Sequence, residues 1–316
     1  MTFVLSFFRD GGPFMYLILM AALPTWGLIM VLALLRLTRK KIPDGVWFVG
    51  PAVFALVGFG GFAFGMSQAL RAVTAAAIEH KGAMLASGAA VATYPDLFGL
   101  QIAALLAGTG CLATGLATFR EGATAGISPV RLGVVLIAAV GGVLASLATA
   151  WTVFLAGAMI LAAAGTGLAV ARKPSDDDVV VAPGGAVTAG LGLVTVFCVA
   201  LQGVGVARVQ ALKDRAVSGA MGAVDVSAAT VELLQASTGA GIVVVVAGLL
   251  LVAAAVVRQG GAAPRSGVLL RGGGAVALVV LVALVRFAVM DGFVVEGLAL
   301  SDPDTSAPAE PAPRGR

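Results

Sequence analysis

Among the polar side chains inside runs that are otherwise apolar, Thr109, Thr114, Thr118, Gln202 and Arg286 are the candidates. In hydrocarbon a hydrogen-bonding or charged group is the default candidate for a solute or proton pathway, because nothing in lipid compensates it. Thr114 and Thr118 are four residues apart, which puts them on one helix face with Thr109 nearby. Each candidate also has a structural reading. A threonine hydroxyl can bond the carbonyl four residues back, and Gln202 can join two helices. Arg286, close in sequence to Asp291, can snorkel to an interface or form an ion pair. A second cluster, Glu79 and His80 with Lys81, lies in a more polar segment. His80 is the chain's sole histidine. Its charge changes near neutral pH, which suits a proton relay or a pH sensor, whereas on a solvated segment it is a surface residue.

Other chemistry has no foothold. No nucleophile is paired with a positioned base, no glycine-rich loop precedes a phosphate-binding lysine, and no His/Cys/Asp/Glu group has metal-ligand spacing. The reading is therefore no catalytic residue, no cofactor, no metal and not an enzyme. Cys111 and Cys198 both fall in expected spans and read as small packing residues. The net charge of +4 is small, and the basic residues cluster beside the apolar runs, so nucleic acid is not an expected partner.

The elements that must carry these residues follow from composition. Hydrophobic residues make up 59% of the 316 and charged residues 11%, where an ordinary soluble domain has about 25% charged. That is the balance of an all-α polytopic membrane bundle, and about eight transmembrane helices are legible. Phe14 to Leu37 carries Arg36 as its one charge and exceeds the ~20 residues that cross a ~30 Å hydrocarbon core. A second span is expected over 46–70, with Trp47 as an interfacial anchor. Residues 71–97 are too polar at their centre to cross and should lie outside the bilayer or at its surface, with the third span over 98–118. Residues 132–171 hold no charge over twice the length of one crossing, and read as a hairpin turning near Ala150 and Trp151. Further spans are expected over 187–207, 239–257 and 272–290. Basic residues concentrate at 36–41, 120–131, 172–173 and 258–271, which places those loops in the cytoplasm and both termini outside.

A shift of 137 residues lays the first four spans on the last four: Gly82-Ala83-Met84 falls on Gly219-Ala220-Met221, Ala92-Thr93 on Ala229-Thr230 and Leu97 on Leu234. Residues 1–150 thus read as one four-span repeat and 151–300 as a second, parallel one, with a connector at about 172–186 and a disordered Pro/Ala/acidic tail at 301–316. Small residues at four-residue spacing mark the expected helix contacts, namely Ala103, Ala107, Cys111 and Gly115 in the third span and Gly61 with Gly65 in the second.

The first helix carries a family resemblance. Gly11-Gly12-Pro13-Phe14-Met15-Tyr16, followed by Leu17-Ile18-Leu19 and closed by Leu35-Arg36-Leu37, resembles the first transmembrane helix of the MotA/TolQ/ExbB proton-channel family. Leu35 stands where that family typically has Glu, and only residues 38–45 separate the first two spans, where the family has a large cytoplasmic domain. No channel residue can be carried over. The resemblance implies a scaffold or energy-coupling component of a bacterial cytoplasmic (inner) membrane, surrounded by lipid, forming homo-oligomers and engaging a single-span membrane partner. Two other readings stand beside it. One is a small-solute or lipid permease, for which Pro24 in the first span is the visible helix breaker; the other is a structural envelope protein whose outer segments bind partners.

Overall fold

The computed structural model describes residues 11–38, 46–75, 78–121 and 152–171, with Ile42, Gly133, Val140, Leu193 and Val196. Among these residues all regular structure is helical, and three of the helices are long and apolar enough to cross a membrane. The connector at 172–186, the expected spans beyond it, the tail, Gln202 and Arg286 lie outside the described residues.

Helix α1 (Pro13–Leu37) starts at a geometry that its sequence dictates. Gly12 has φ 70°, a left-handed value open to glycine, and Pro13 takes the first helical position, where its missing N–H is not needed. At the other end the Thr38 hydroxyl donates to the Leu35 carbonyl at 2.9 Å. α1 buries one narrow face, Met15, Ile18, Ala22, Ile29 and Ala33, at spacings of three, four and seven. The rest of its apolar surface is exposed, including Leu23, Trp26 and Val31.

Helix α2 (Val46–Thr74) runs antiparallel to α1. Gly50 lies against Thr25 and Ile29 near one end, and Gly61 against Phe14 at the other. Helix α3 (Ile78–Glu121) then folds back antiparallel along α2, with Gly65 at Ala92, Gly58 at Pro95 and Gly99, and Gly110 at Trp47. Helix α4 (Thr152–Ala171) packs on the far half of α3 in the same direction, with Gly108 at Ala158 and Gly115 at Gly165. α3 touches each of the other three helices and is the centre of the described bundle.

Two boundary expectations are corrected here. The expected start of the third span at Phe98 is not a helix boundary: α3 is one helix of 44 residues that passes straight through Pro95. Pro95 removes one N–H, but its ring and carbonyl sit against Gly61 and Gly58, where the absence of Cβ leaves room. Trp47 is not an anchor on the lipid face either, being 2% exposed and packed on Gly110.

The lengths set the layout. Phe14 of α1 meets Gly61, which meets Pro95, and at the other end Arg120 Nη1 donates to the Leu37 carbonyl at 2.8 Å. The 25 residues of α1 therefore run beside α3 from about residue 95 to 120. At 1.5 Å per residue α3 is roughly 66 Å long, about twice a hydrocarbon core, so its first third extends beyond the Gly12 end of α1. There it stays paired with the end of α2 through a separate apolar cluster of Phe59, Phe62, Met66, Leu70 and Val73 with Leu85, Ala89 and Ala92.

Glycine makes this packing possible, which can be tested one atom at a time. A Cβ at Gly58 would lie 2.7 Å from the Pro95 carbonyl oxygen, a backbone atom that cannot swing away, whereas one at Gly60 would meet nothing. Gly58→Ala should destabilise the detergent-solubilised protein by roughly 1–3 kcal/mol through overpacking. Gly60→Ala should be neutral or mildly stabilising, since Ala is the better helix former. Comparing the thermal unfolding of the two variants with wild type checks both.

Candidate functional site

Polar groups in the described core gather on α3. Thr93, Asp96, Gln101, Thr109, Thr114 and Thr118 are all buried there, with Thr166 opposite on α4. Three of the expected candidates are in this set, and each hydroxyl donates to its own helix. Thr109 bonds the Leu105 carbonyl at 2.8 Å, Thr114 that of Gly110 at 2.9 Å, and Thr118 that of Thr114 at 2.8 Å. A hydroxyl held on the carbonyl four residues back is satisfied without a neighbour or a solute. Thr166 does the same with Ala162 at 2.8 Å. Glu79 and His80 stand in the first turn of α3, at the end furthest from α4, and so are far along the helix from the other candidates.

Residues that the sequence reading passed over complete the set. Asp96 is a 3% exposed carboxylate one residue after Pro95, held where α3 crosses Gly58 of α2. The facing glycines that let the helix continue through Pro95 are remote from it in sequence. Gln101 is 1% exposed, and neither its Oε1 nor its Nε2 has a hydrogen-bond partner among the described residues. It lies within the expected third span, so an amide in an apolar run was the available signal. The Trp47 indole N–H is likewise buried without a partner among the described residues.

The α3–α4 contact is the closest in the bundle. Gln101, Ala104, Gly108, Cys111 and Gly115 follow one another at alternating spacings of three and four, which draws one stripe along α3. Gly108 and Gly115 bring its backbone onto Ala158 and Gly165 of α4. Between them the Cys111 thiol donates to the Ala162 carbonyl at 3.1 Å and lies 3.4 Å from the Thr166 hydroxyl. Cys111 is thus a packing residue with an interhelical hydrogen bond.

Along its axis α3 by itself presents no continuous run of hydrogen-bonding side chains. From Ile102 to Gly108 it presents only apolar residues, a stretch of roughly 12 Å between Gln101 and Thr109. A proton relay needs hydrogen-bonding groups within reach of one another, and the groups beyond that stretch are committed to backbone. No group of three or more His, Cys, Asp or Glu side chains that could hold a metal occurs among the described residues. The chain was compared with models of known protein families, with curated proteins and with solved structures, and matches none of them.

Because the threonine hydroxyls act only on their own helix, replacing them by the near-isosteric Val should cost little. Thr114→Val and Thr118→Val should each change stability by less than about 1 kcal/mol, the net worth of an ordinary hydrogen bond. Thermal unfolding in detergent with membrane expression level checks this. A loss several times larger would mean that the hydroxyls serve something outside their helix.

Proposed function

We propose that the chain is a membrane scaffold or energy-coupling component of the MotA/TolQ/ExbB kind, with no catalysis of its own and no conduction as an isolated protein. The observation that carries this reading is the packed interior, where the hydroxyls of α3 are spent on backbone and about 12 Å of apolar helix separates Gln101 from Thr109. A permease would need a path through that interior. The start of α1 adds support, since the Gly11-Gly12-Pro13 turn does build a helix N-terminus there. So does the one-sided attachment of α1, whose exposed apolar face is available to lipid, to a second copy or to a single-span partner helix. Arg36 and Arg120 share the Leu37 end, which the positive-inside bias assigns to the cytoplasm of a bacterial inner membrane.

On this reading the paired ends of α2 and α3 beyond Gly12 rise from the opposite face of the membrane as a two-helix arm, a rigid outer segment for a partner in the envelope. Exposure in the chain then separates into two kinds. Met84 is 40% exposed on the arm, while Leu23 and Val31 are exposed on α1 at the depth of the bilayer. In a background lacking Cys111 and Cys198, Met84→Cys should react with a membrane-impermeant maleimide, and Leu23→Cys and Val31→Cys should not. Protection of position 84 would place the arm inside the membrane.

Function is tested by conduction. The purified chain reconstituted in liposomes should pass no protons under an imposed gradient, and a single-span protein should co-purify with it from native membranes. A robust flux from the isolated chain, abolished by changing Thr114 and Thr118 together to Val, would overturn the proposal.

A further inference from the structure

From Gln101 to Arg120 every residue of α3 is buried except Leu105, Leu112, Leu116, Phe119 and Arg120. Their spacings put all of them on one side of the helix, so α3 is open along a single apolar strip about 22 Å long with an arginine at one end. The strip has two walls, because α1 and α4 both pack on α3 and scarcely touch each other. α1 turns Phe14, Thr25 and Ile29 to α2, and its opposite edge carries Leu19, Trp26 and Met30, all exposed. On α4 the Cys111 contacts with Ala162 and Thr166 mark the edge away from the strip, which leaves Gly157, Leu161 and Leu168 along it. A Cβ at Gly157 would meet nothing within 4 Å, so the space beside α4 is open. At the Leu37 end Arg120 Nη1 donates to the Leu37 carbonyl at 2.8 Å, which holds the exposed guanidinium at the mouth of the groove where α1 stops. That guanidinium has five N–H donors, so one bond to a carbonyl does not exhaust it.

We propose that this groove binds one phospholipid of the leaflet at the Leu37 end, with an acyl chain along Leu105, Leu112 and Leu116 and the phosphate on Arg120. Apolar walls call for hydrocarbon, and a fixed guanidinium at the end of a spanning helix calls for a planar pair of phosphate oxygens. A phospholipid carries both at this separation. A partner helix fits less well, because it would need an open strip across the whole ~30 Å hydrocarbon core, and this one closes at Phe98 and Ile102, both buried. The site rests on α1 and α3 crossing the bilayer and not on energy coupling.

Trp26 supplies the readout, since it borders the groove while Trp47 is 2% exposed. In a Trp151→Phe background, phosphatidylglycerol with dibrominated acyl chains, titrated into the full chain in detergent, should quench Trp26 fluorescence saturably. Arg120→Gln should raise the half-saturating lipid concentration roughly tenfold or more, and brominated diacylglycerol, which lacks the phosphate, should bind wild type as weakly. Arg71→Gln removes the same charge from an exposed position on α2 and should change nothing. Gly157→Leu fills the groove where a side chain meets no protein atom and leaves Arg120 intact, and it should abolish the saturable quenching. Equal half-saturation for wild type and Arg120→Gln, unaltered quenching in Gly157→Leu, or displacement of the lipid by an equal concentration of glycerol phosphate would each overturn the lipid site. With Leu23→Cys still shielded from maleimide, such a result would strike the site and leave the membrane reading standing.

Discussion

Everything described in this bundle depends on how closely α3 can be approached. Lipid tails are as apolar as the side chains, so burial from water does not drive helices together in a membrane, and van der Waals contact has to do most of the work. α3 meets that constraint with small residues on more than one side. Gly99 lies over the backbone of α2 at Phe54 and Gly58, Gly110 receives the Trp47 ring, and Gly108 and Gly115 meet the backbone of α4. At most of these points the atom opposite is backbone, which has no rotamer to retreat into. The contacts are accordingly specific in register, and that register fixes which residues lie level with which.

Close approach also explains why a proline and a carboxylate can sit in the middle of a long helix. Pro95 leaves one carbonyl without its N–H, and its ring would normally displace the neighbouring turn. Gly58 and Gly61 supply the missing space from the other helix, so the disturbance is absorbed across the contact and α3 stays helical to Glu121. Asp96 is then carried into a buried position by its neighbour's packing. Thr114 and Thr118 further along need no such help, because each hydroxyl donates to a carbonyl of its own helix.

The same logic separates what could be read in the sequence from what could not. α1 was legible nearly to the residue, since an uninterrupted apolar run between Gly12-Pro13 and Thr38 is a local signal. The small residues of the α3–α4 seam, Cys111 and Gly115, were legible for the same reason. The expected turn near Ala150 and Trp151 lies outside the described residues. Arg71 and the polar centre of 71–97, with Glu79, His80 and Lys81, misled because composition does not show which helices pair. Arg71 is exposed and leaves α2 free to continue to Thr74, where Val73 is buried in the cluster that contains Leu85. What holds α2 and α3 together past that point is a pairing between residues that a linear reading does not place side by side. Of the expected site, the three threonines were found in the core, while Asp96 and Gln101, the side chains there with the most to satisfy, went unweighed.

That difference bears on where function can reside. A threonine bonded to its own helix changes little when its surroundings change, so it reports packing and transmits nothing. An amide that is buried with no protein partner is different, because its energy depends on what enters beside it. Asp96 and Gln101 are five residues apart on α3, roughly 7.5 Å along the axis, and both lie on the Gly12 side of the apolar stretch from Ile102 to Gly108. Gln101 and the Trp47 indole, which rests on Gly110, therefore stand on opposite sides of that stretch, and anything coupled between them would have to pass through movement of helices or through groups supplied by a partner. The glycine contacts that hold α3 against α2 and α4 are what such a movement would have to slide, which makes packing and coupling the same physical question in this chain.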